Sequence, residues 1–107
     1  MPTIIVKYND KAVSDKEITD LGEATIKIAQ DITGIQDSFV YADSSKIKIN
    51  IAPIELYIYL SETHIPDLDD LYGRFKDAIV DWKKESGFTQ PINFTLVPMK
   101  WKFEVGL

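Results

Sequence analysis

The chain has no cysteine, a single histidine and a single arginine, and each scarcity removes a class of site. Without cysteine there is no disulfide framework, no thiol nucleophile and no thiolate metal site. His64 has only Glu62 close to it in the sequence, and one histidine with one carboxylate falls short of a metal site. We therefore expect neither a metal nor another cofactor.

Long apolar runs and clusters of positive charge are also missing. The longest unbroken apolar run is Leu56–Leu60, far short of the roughly 18 residues that a membrane helix needs. The lysines are scattered in a chain of net charge −5, whereas nucleic-acid binders usually carry a basic patch. We expect no membrane or nucleic-acid partner. Because no basic-then-apolar leader opens the chain, we expect a cytoplasmic protein with one domain over residues 1–107.

What is present begins with a strand and a helix. Residues 2–8 are rich in β-branched and aromatic side chains, which predicts a strand. Ser14 and Glu17 have the spacing of a capping box, and apolar residues then recur at helical spacing until Gly34 ends the helix.

The rest of the chain repeats this pattern. Stretches 39–41, 46–51 and 54–60 are β-rich, and a helix that opens at Pro66 and Asp67 runs to Gly87. We expect Phe75 and Trp82, on the apolar stripe of this helix, to be buried against the sheet. A strand over 92–97 follows, and alternating Trp101, Phe103 and Val105 predict a short C-terminal strand.

The order β-α-β-β-α-β predicts an α+β fold. Two β-α-β units would form a four-stranded mixed sheet with two helices on one face, followed by the short C-terminal strand. The sheet could be ferredoxin-like, with one face in water, or could bury that face between subunits. The open face has few charges and is rich in tyrosine, which favours a subunit interface. Its expected members are Ile5, Tyr57, Tyr59 and Val97.

Two short motifs point to a family. The opening Met-Pro-Thr-Ile-Ile-Val runs directly into a strand, and Ile-Asn-Phe stands at 92–94 in the last core strand. With the element order, they make the chain resemble the tautomerase superfamily, in particular its macrophage migration inhibitory factor type and related uncharacterised bacterial proteins. The resemblance implies a homotrimer and a cofactor-free isomerase.

The resemblance also implies that Pro2 is the catalytic residue. Removal of Met1 would leave a secondary amine, and burial in an apolar pocket disfavours its ammonium form. Such an amine can take a proton α to a carbonyl and return it elsewhere, which is keto–enol tautomerisation of a small 2-oxo acid. Without the resemblance, Pro2 would be interpreted as the start of an edge strand.

The resemblance further suggests a substrate pocket made by Tyr41 from a neighbouring subunit, the backbone N–H groups around Ser61, and Trp101 as a wall. Tyr41 and Trp101 could instead only pack within the sheet or between subunits.

Other positions depart from the pattern of the family. Ile35 stands where the migration inhibitory type has a lysine, Pro91 replaces a tyrosine, and the sole arginine, Arg74, is expected on the surface. Three hypotheses stay open: a tautomerase, a non-catalytic trimeric relative, and a ferredoxin-like module that binds a small ligand.

Overall fold

The computed structural model describes residues 2–107, and its strands and helices follow the predicted order. The α+β fold class, with a four-stranded mixed sheet and two helices on one face, is confirmed. The elements are β1 (Thr3–Tyr8), α1 (Asp15–Thr33), β2 (Phe39–Asp43), β3 (Ile54–Ser61), a short 3₁₀ turn (Glu62–His64), α2 (Leu68–Ser86) and β4 (Asn93–Met99).

The sheet has the strand order β2-β1-β3-β4. Each β-α-β unit places its two strands side by side and parallel, and the two units join through the antiparallel pair β1–β3. A ferredoxin-like sheet would instead split each β-α-β unit by inserting another strand. The observed pairing therefore excludes the ferredoxin-like alternative.

Both helices begin and end where the sequence predicts. The Glu17 N–H donates to Ser14 Oγ at 3.1 Å, and the Ser14 N–H donates to Glu17 Oε1 at 3.0 Å, which completes the capping box. Asp67 caps α2 in a similar way, and Gly34 and Gly87 end the helices with φ of 73° and 74°. Within residues 2–107, neither helix combines the length and apolar content needed to cross a membrane.

The face of the sheet beneath the helices forms the core. Alternate residues of the two central strands point toward α1 and α2 and are fully buried, as the period of two in a strand requires. Phe75 of α2 is also fully buried, as expected, and lies 6.2 Å from the ring of Phe94. The fully buried strand residues are Ile4, Val6, Ile54, Leu56, Ile58 and Leu60.

The opposite face, which we call the open face, carries three rows of side chains across the four strands. Only the third row is charged, with Lys7 Nζ 2.9 Å from Asp43 Oδ1 and Asn93 Nδ2 donating to Glu55 Oε1 at 3.0 Å. The rows are Phe39, Thr3, Tyr59 and Val97; Tyr41, Ile5, Tyr57 and Thr95; and Asp43, Lys7, Glu55 and Asn93.

Three local predictions were wrong. Residues 46–51 form no strand, because they lie in the connection between β2 and β3 without a neighbouring strand to pair with. Residues 100–107 likewise leave the sheet after β4 and form no C-terminal strand. Trp82 is only partly buried, since its ring packs 5.0 Å from that of Phe88 at the margin of the core.

Candidate active site

Pro2 lies at one edge of the sheet with its side chain fully buried. The Phe39 N–H donates to the Pro2 carbonyl at 3.4 Å, which holds the start of β2 against the start of β1. Thr3 pairs with Tyr59 across the antiparallel β1–β3 ladder, so the next step of the register sets Pro2 against Leu60. The candidate base is therefore placed where β1 begins and β3 ends.

A pocket of about 390 Å³ opens at this same edge. Ser61 is the last residue of β3 and pairs with Met99 of β4, and the two strands are parallel. Both strands therefore end at the edge of the sheet where Pro2 lies. The pocket is lined by Ser61, Glu62, Thr63, Lys100, Trp101 and Lys102.

Ser61 and Trp101, two residues of the predicted site, come together in this pocket. Ser61 is buried, and its Oγ lies 3.0 Å from Thr63 Oγ1. The hydroxyl pair draws the turn after β3 close to the strand end, and Trp101 forms part of the facing wall. The side-chain chemistry is thus a hydroxyl pair on one side and an indole on the other.

Tyr41 does not belong to this pocket. It lies on β2 opposite Ile5, on the open face, and its side chain is 59% exposed. Strand β1 separates β2 from β3, so within one chain Tyr41 and Ser61 stand on different strands two places apart. That Tyr41 serves the pocket of a neighbouring subunit stays a prediction.

The sequence analysis did not identify two lysines that line the pocket, Lys100 and Lys102. Lys100 Nζ lies 3.8 Å from Glu62 Oε1, whereas Lys102 makes no ion pair within residues 2–107. With one carboxylate and two ammonium groups, the lining carries a net charge of about +1 in a chain whose net charge is −5. The alternation of aromatic residues in this segment predicted a C-terminal strand and gave the lysines no role. The parallel pairing of β3 with β4 was the signal that could have placed them.

A buried hydroxyl was missed as well. Ser38 Oγ is shielded from solvent and has no hydrogen-bond partner within the described part of the chain. It directly precedes Phe39, whose N–H binds the Pro2 carbonyl. A buried polar group in the residue before β2 therefore remains available for a hydrogen bond.

The displaced pKa values lie at the far edge, where β1 ends and α1 begins. The hydrogen bond to Asp15 at 3.1 Å raises the pKa of Tyr8, and contact with Asp20 raises the pKa of Lys16. The Ser14 backbone N–H lowers the pKa of the Glu17 carboxyl. These pKa shifts come from helix capping and from hydrogen bonds and ion pairs on the surface. They bear on the stability of the fold and not on the chemistry at the Pro2 edge.

A groove larger than this pocket also lies away from Pro2. It has a volume of about 880 Å³ and runs between the two helices and the segment after α2, without any strand residue in its lining. Six carboxylates and one lysine line it: Glu17, Asp20, Glu23, Asp31, Asp81, Glu85 and Lys27. Positive charge predominates in the smaller pocket at the Pro2 edge, and also in two pockets along α2 that are lined by Lys76, Lys83 and Lys84.

The chain matches known proteins in its fold but not in its sequence. No protein-family model matches the chain, and no curated protein matches it. Solved structures do match. Macrophage migration inhibitory factor-like protein of Entamoeba histolytica has a TM-score of 0.64 at 12% identity, over 96% of this chain and 95% of its own. Malonate semialdehyde decarboxylase has a TM-score of 0.65 at 15% identity, over 100% and 92%.

The chain has the tautomerase fold. Pt0534, a protein inactivated by 2-oxo-3-pentynoate, adds a third match, with a TM-score of 0.57 at 11% identity over 92% of this chain and 84% of its own. These matches confirm the resemblance to the tautomerase superfamily at the level of the fold. At such identities they carry no residue roles, so the chemistry of this tautomerase fold must be argued from its own side chains.

Proposed function

We propose that this protein is a cofactor-free keto–enol tautomerase that acts on a small 2-oxo acid or its enol. Its base would be the secondary amine of Pro2, freed by removal of Met1. One observation carries the proposal: Pro2 is buried at the same sheet edge as the cationic pocket that holds Ser61 and Trp101. Pro2 does not itself line this pocket, but an amine and a pocket of net positive charge at one edge are the two parts that this chemistry requires.

The structural neighbours support this reaction class. Malonate semialdehyde decarboxylase is described with decarboxylase and hydratase activities, and Pt0534 is inactivated by a 2-oxo acid. Small oxo acids are thus the common chemistry of these neighbours. The same fold in this chain makes a 2-oxo acid the substrate class to test first.

The proposed reaction moves one proton without a cofactor. The neutral Pro2 amine takes a proton from the carbon α to the carbonyl, and the electron pair of that C–H bond becomes the C=C bond of an enolate. The Pro2 ammonium then gives this proton to the enolate oxygen, which forms the enol and restores the neutral amine. Backbone N–H groups around Ser61 and Glu62 would stabilise the oxygen that gains negative charge. Trp101 would form an apolar wall for the organic part of the substrate. Reversal of these steps returns the keto form.

We propose that the active form is a homotrimer in which the open face is buried. Two of its three rows carry no charge and consist of apolar, aromatic and threonine side chains. An exposed apolar patch of this kind is typical of a protein–protein interface. The loop between β2 and β3 also exposes Ile47 and Ile49, at 76% and 81%. The alternation of residues 46–51 suits a strand that pairs with a neighbouring subunit, and the segment around Trp101 and Phe103 could add to a neighbouring sheet.

In that assembly, Tyr41 of one subunit would reach toward the Pro2 edge of the next. Its exposed position on the edge strand β2 leaves its hydroxyl available for such a contact. We propose that it donates a hydrogen bond to the substrate rather than acting as the base.

The second candidate is a trimeric relative that keeps the fold without the activity. Ile35 and Pro91 favour it, because they stand where the migration inhibitory type has a lysine and a tyrosine. Without a lysine and a tyrosine at these positions, the site around Pro2 would have fewer polar groups with which to bind a substrate.

The test measures N-terminal processing and activity on one sample. Intact mass spectrometry first establishes that Met1 is absent, and the enol–keto exchange of phenylpyruvate is then followed by absorbance. We expect exchange above the buffer rate, rising with pH as the Pro2 amine loses its proton. Pro2→Ala keeps a primary amine and should retain part of the activity.

The matched control is a form with an N-terminal extension that holds Pro2 in amide linkage. An amide nitrogen is not a base, so this form should lose the activity while keeping its fold by circular dichroism. Equal activity in the blocked and free forms would contradict the role of Pro2. Absence of exchange in a verified Met-free sample would favour the non-catalytic relative.

A further inference from the structure

We propose that Lys102 is the cation that binds the substrate carboxylate, and that Glu62, by occupying Lys100, limits the site to monocarboxylates. The inference rests on the proposed function for its substrate class. It assigns the carboxylate-binding role to the segment that follows β4.

The fold brings this segment to the candidate base. Ser61 pairs with Met99 in the parallel β3–β4 ladder, so the residues after Met99 leave the sheet beside the end of β3. The extended β1–β3 register sets Pro2 against Leu60, the neighbour of Ser61. Lys100, Trp101 and Lys102 therefore face the turn after β3 across a single pocket at the Pro2 edge.

The two lysines are not equivalent. Lys100 lies 3.8 Å from Glu62 Oε1, so its charge already has a counterion. Lys102 has no ion pair within residues 2–107 and keeps its three N–H donors for a ligand. Arg74, the sole arginine, is exposed on α2 and does not line this pocket. Lys102 is thus the group with an uncompensated positive charge in the lining.

Charge balance then decides the substrate class. The pocket holds about one net positive charge, which one carboxylate neutralises. A second carboxylate would have to compete with Glu62 for Lys100 and would be repelled by the Glu62 carboxylate. A 2-oxo acid with one carboxylate and an apolar tail against Trp101 fits this balance, whereas a dicarboxylate does not.

The binding test is independent of catalysis. Pyruvate is titrated into the ¹⁵N-labelled protein, and the indole N–H signal of Trp101 is followed after its assignment with Trp82→Phe. Lys102→Ala should weaken pyruvate binding about tenfold, the scale of one charge-assisted hydrogen bond. Lys102→Arg keeps the charge and should stay within about threefold of the wild type. Lys84→Ala, an exposed lysine on α2, is the matched control and should change nothing.

Glu62→Gln tests the selectivity. Release of Lys100 should strengthen binding of 2-oxoglutarate several-fold and change pyruvate binding less. Equal effects of Lys102→Ala and Lys84→Ala on pyruvate would overturn the role of Lys102. An unchanged ratio of 2-oxoglutarate to pyruvate affinity in Glu62→Gln would overturn the role of Glu62.

Kinetics separate this inference from the proposed function. Lys102→Ala should raise the KM for phenylpyruvate about tenfold and leave the KM for its methyl ester unchanged, because the ester carries no charge. If the protein catalyses exchange but Lys102→Ala leaves both KM values unchanged, the inference fails and the proposed function stands. If pyruvate binding depends on Lys102 but no Met-free sample catalyses exchange, the proposed function fails and the anion site stands.

Discussion

The two faces of the sheet are made from the same strands, and only one is closed within the chain. Ile4 and Ile58 on the covered face are fully buried under the helices, whereas their sequence neighbours Ile5 and Tyr57 remain partly exposed on the open face. Apolar residues therefore continue across both sides of the central strands. The difference shows that one apolar face serves the folding of the subunit, and that the other is suited to contacts beyond it.

The largest effect is expected on the covered face. Phe75→Ala removes a fully buried ring that packs against Phe94, and should lower the free energy of unfolding by about 3–5 kcal/mol. Val80→Ala on the exposed side of the same helix is the control and should cost under about 1 kcal/mol. Urea titration measures both. A cost below 1 kcal/mol for Phe75→Ala would mean that the covered face does not govern stability.

On the open face, the expected effect is on assembly. Tyr57→Lys puts a charge in the middle row and should convert the proposed trimer to a species of 12.2 kDa, because an unpaired charge is costly in an apolar interface. Thr19→Lys, on the exposed side of α1, adds the same charge and should leave assembly unchanged. Sedimentation equilibrium distinguishes them, with circular dichroism to verify folding. A wild-type monomer at micromolar concentration would contradict burial of the open face.

Two helical glycines give a smaller test of how tightly the covered side is packed. A Cβ at Gly73 would meet nothing within 4 Å, so Gly73→Ala should stabilise the protein by about 0.5–1 kcal/mol. A Cβ at Gly22 would lie 3.3 Å from Val40 Cγ1, which must then move. We expect Gly22→Ala to show no gain. An equal gain in both variants, by thermal denaturation, would mean that α1 and β2 pack loosely.

The smallest effect is expected outside both faces, in the capping box of α1. The Ser14 backbone N–H lowers the pKa of Glu17 in the folded chain. The ionised Glu17 carboxylate therefore stabilises the folded chain. This stabilisation is fully present above the pKa of Glu17 in the unfolded chain and is lost as the pH falls through its pKa in the folded chain. Glu17→Gln should lower the Tm slightly at neutral pH, and this difference should shrink in acid. A difference that grows in acid would contradict the capping role.

The control for that titration is Glu23→Gln. Glu23 is exposed on the same helix, and its carboxylate accepts no hydrogen bond within residues 2–107. Its Tm difference from the wild type should therefore vary less with pH than that of Glu17→Gln.

Two of the three errors in the sequence prediction share one physical cause. Residues 46–51 and 101–105 alternate as strands do, yet neither segment is a strand within one chain. Alternation predicts two faces, but a strand also needs a hydrogen-bonded neighbour, and that neighbour depends on topology. Trp82 fits the apolar stripe of α2, but its position near the end of the helix takes it to the margin of the core, beside Phe88.

The sequence by itself predicted the two helices and the four strands that the structure contains, and its family resemblance suggested the candidate base. Helix caps, the glycines that end the helices, and the alternation of strands are local features, because they depend on contacts within a few residues. Pro2 was identified by its position as the second residue of the chain. Only the tertiary structure decided what surrounds that base. Glu62 and Lys100 are 38 positions apart in the chain and meet because β3 and β4 are parallel. Such a pairing depends on the packing of the whole sheet, so no local pattern could assign the charge of the pocket.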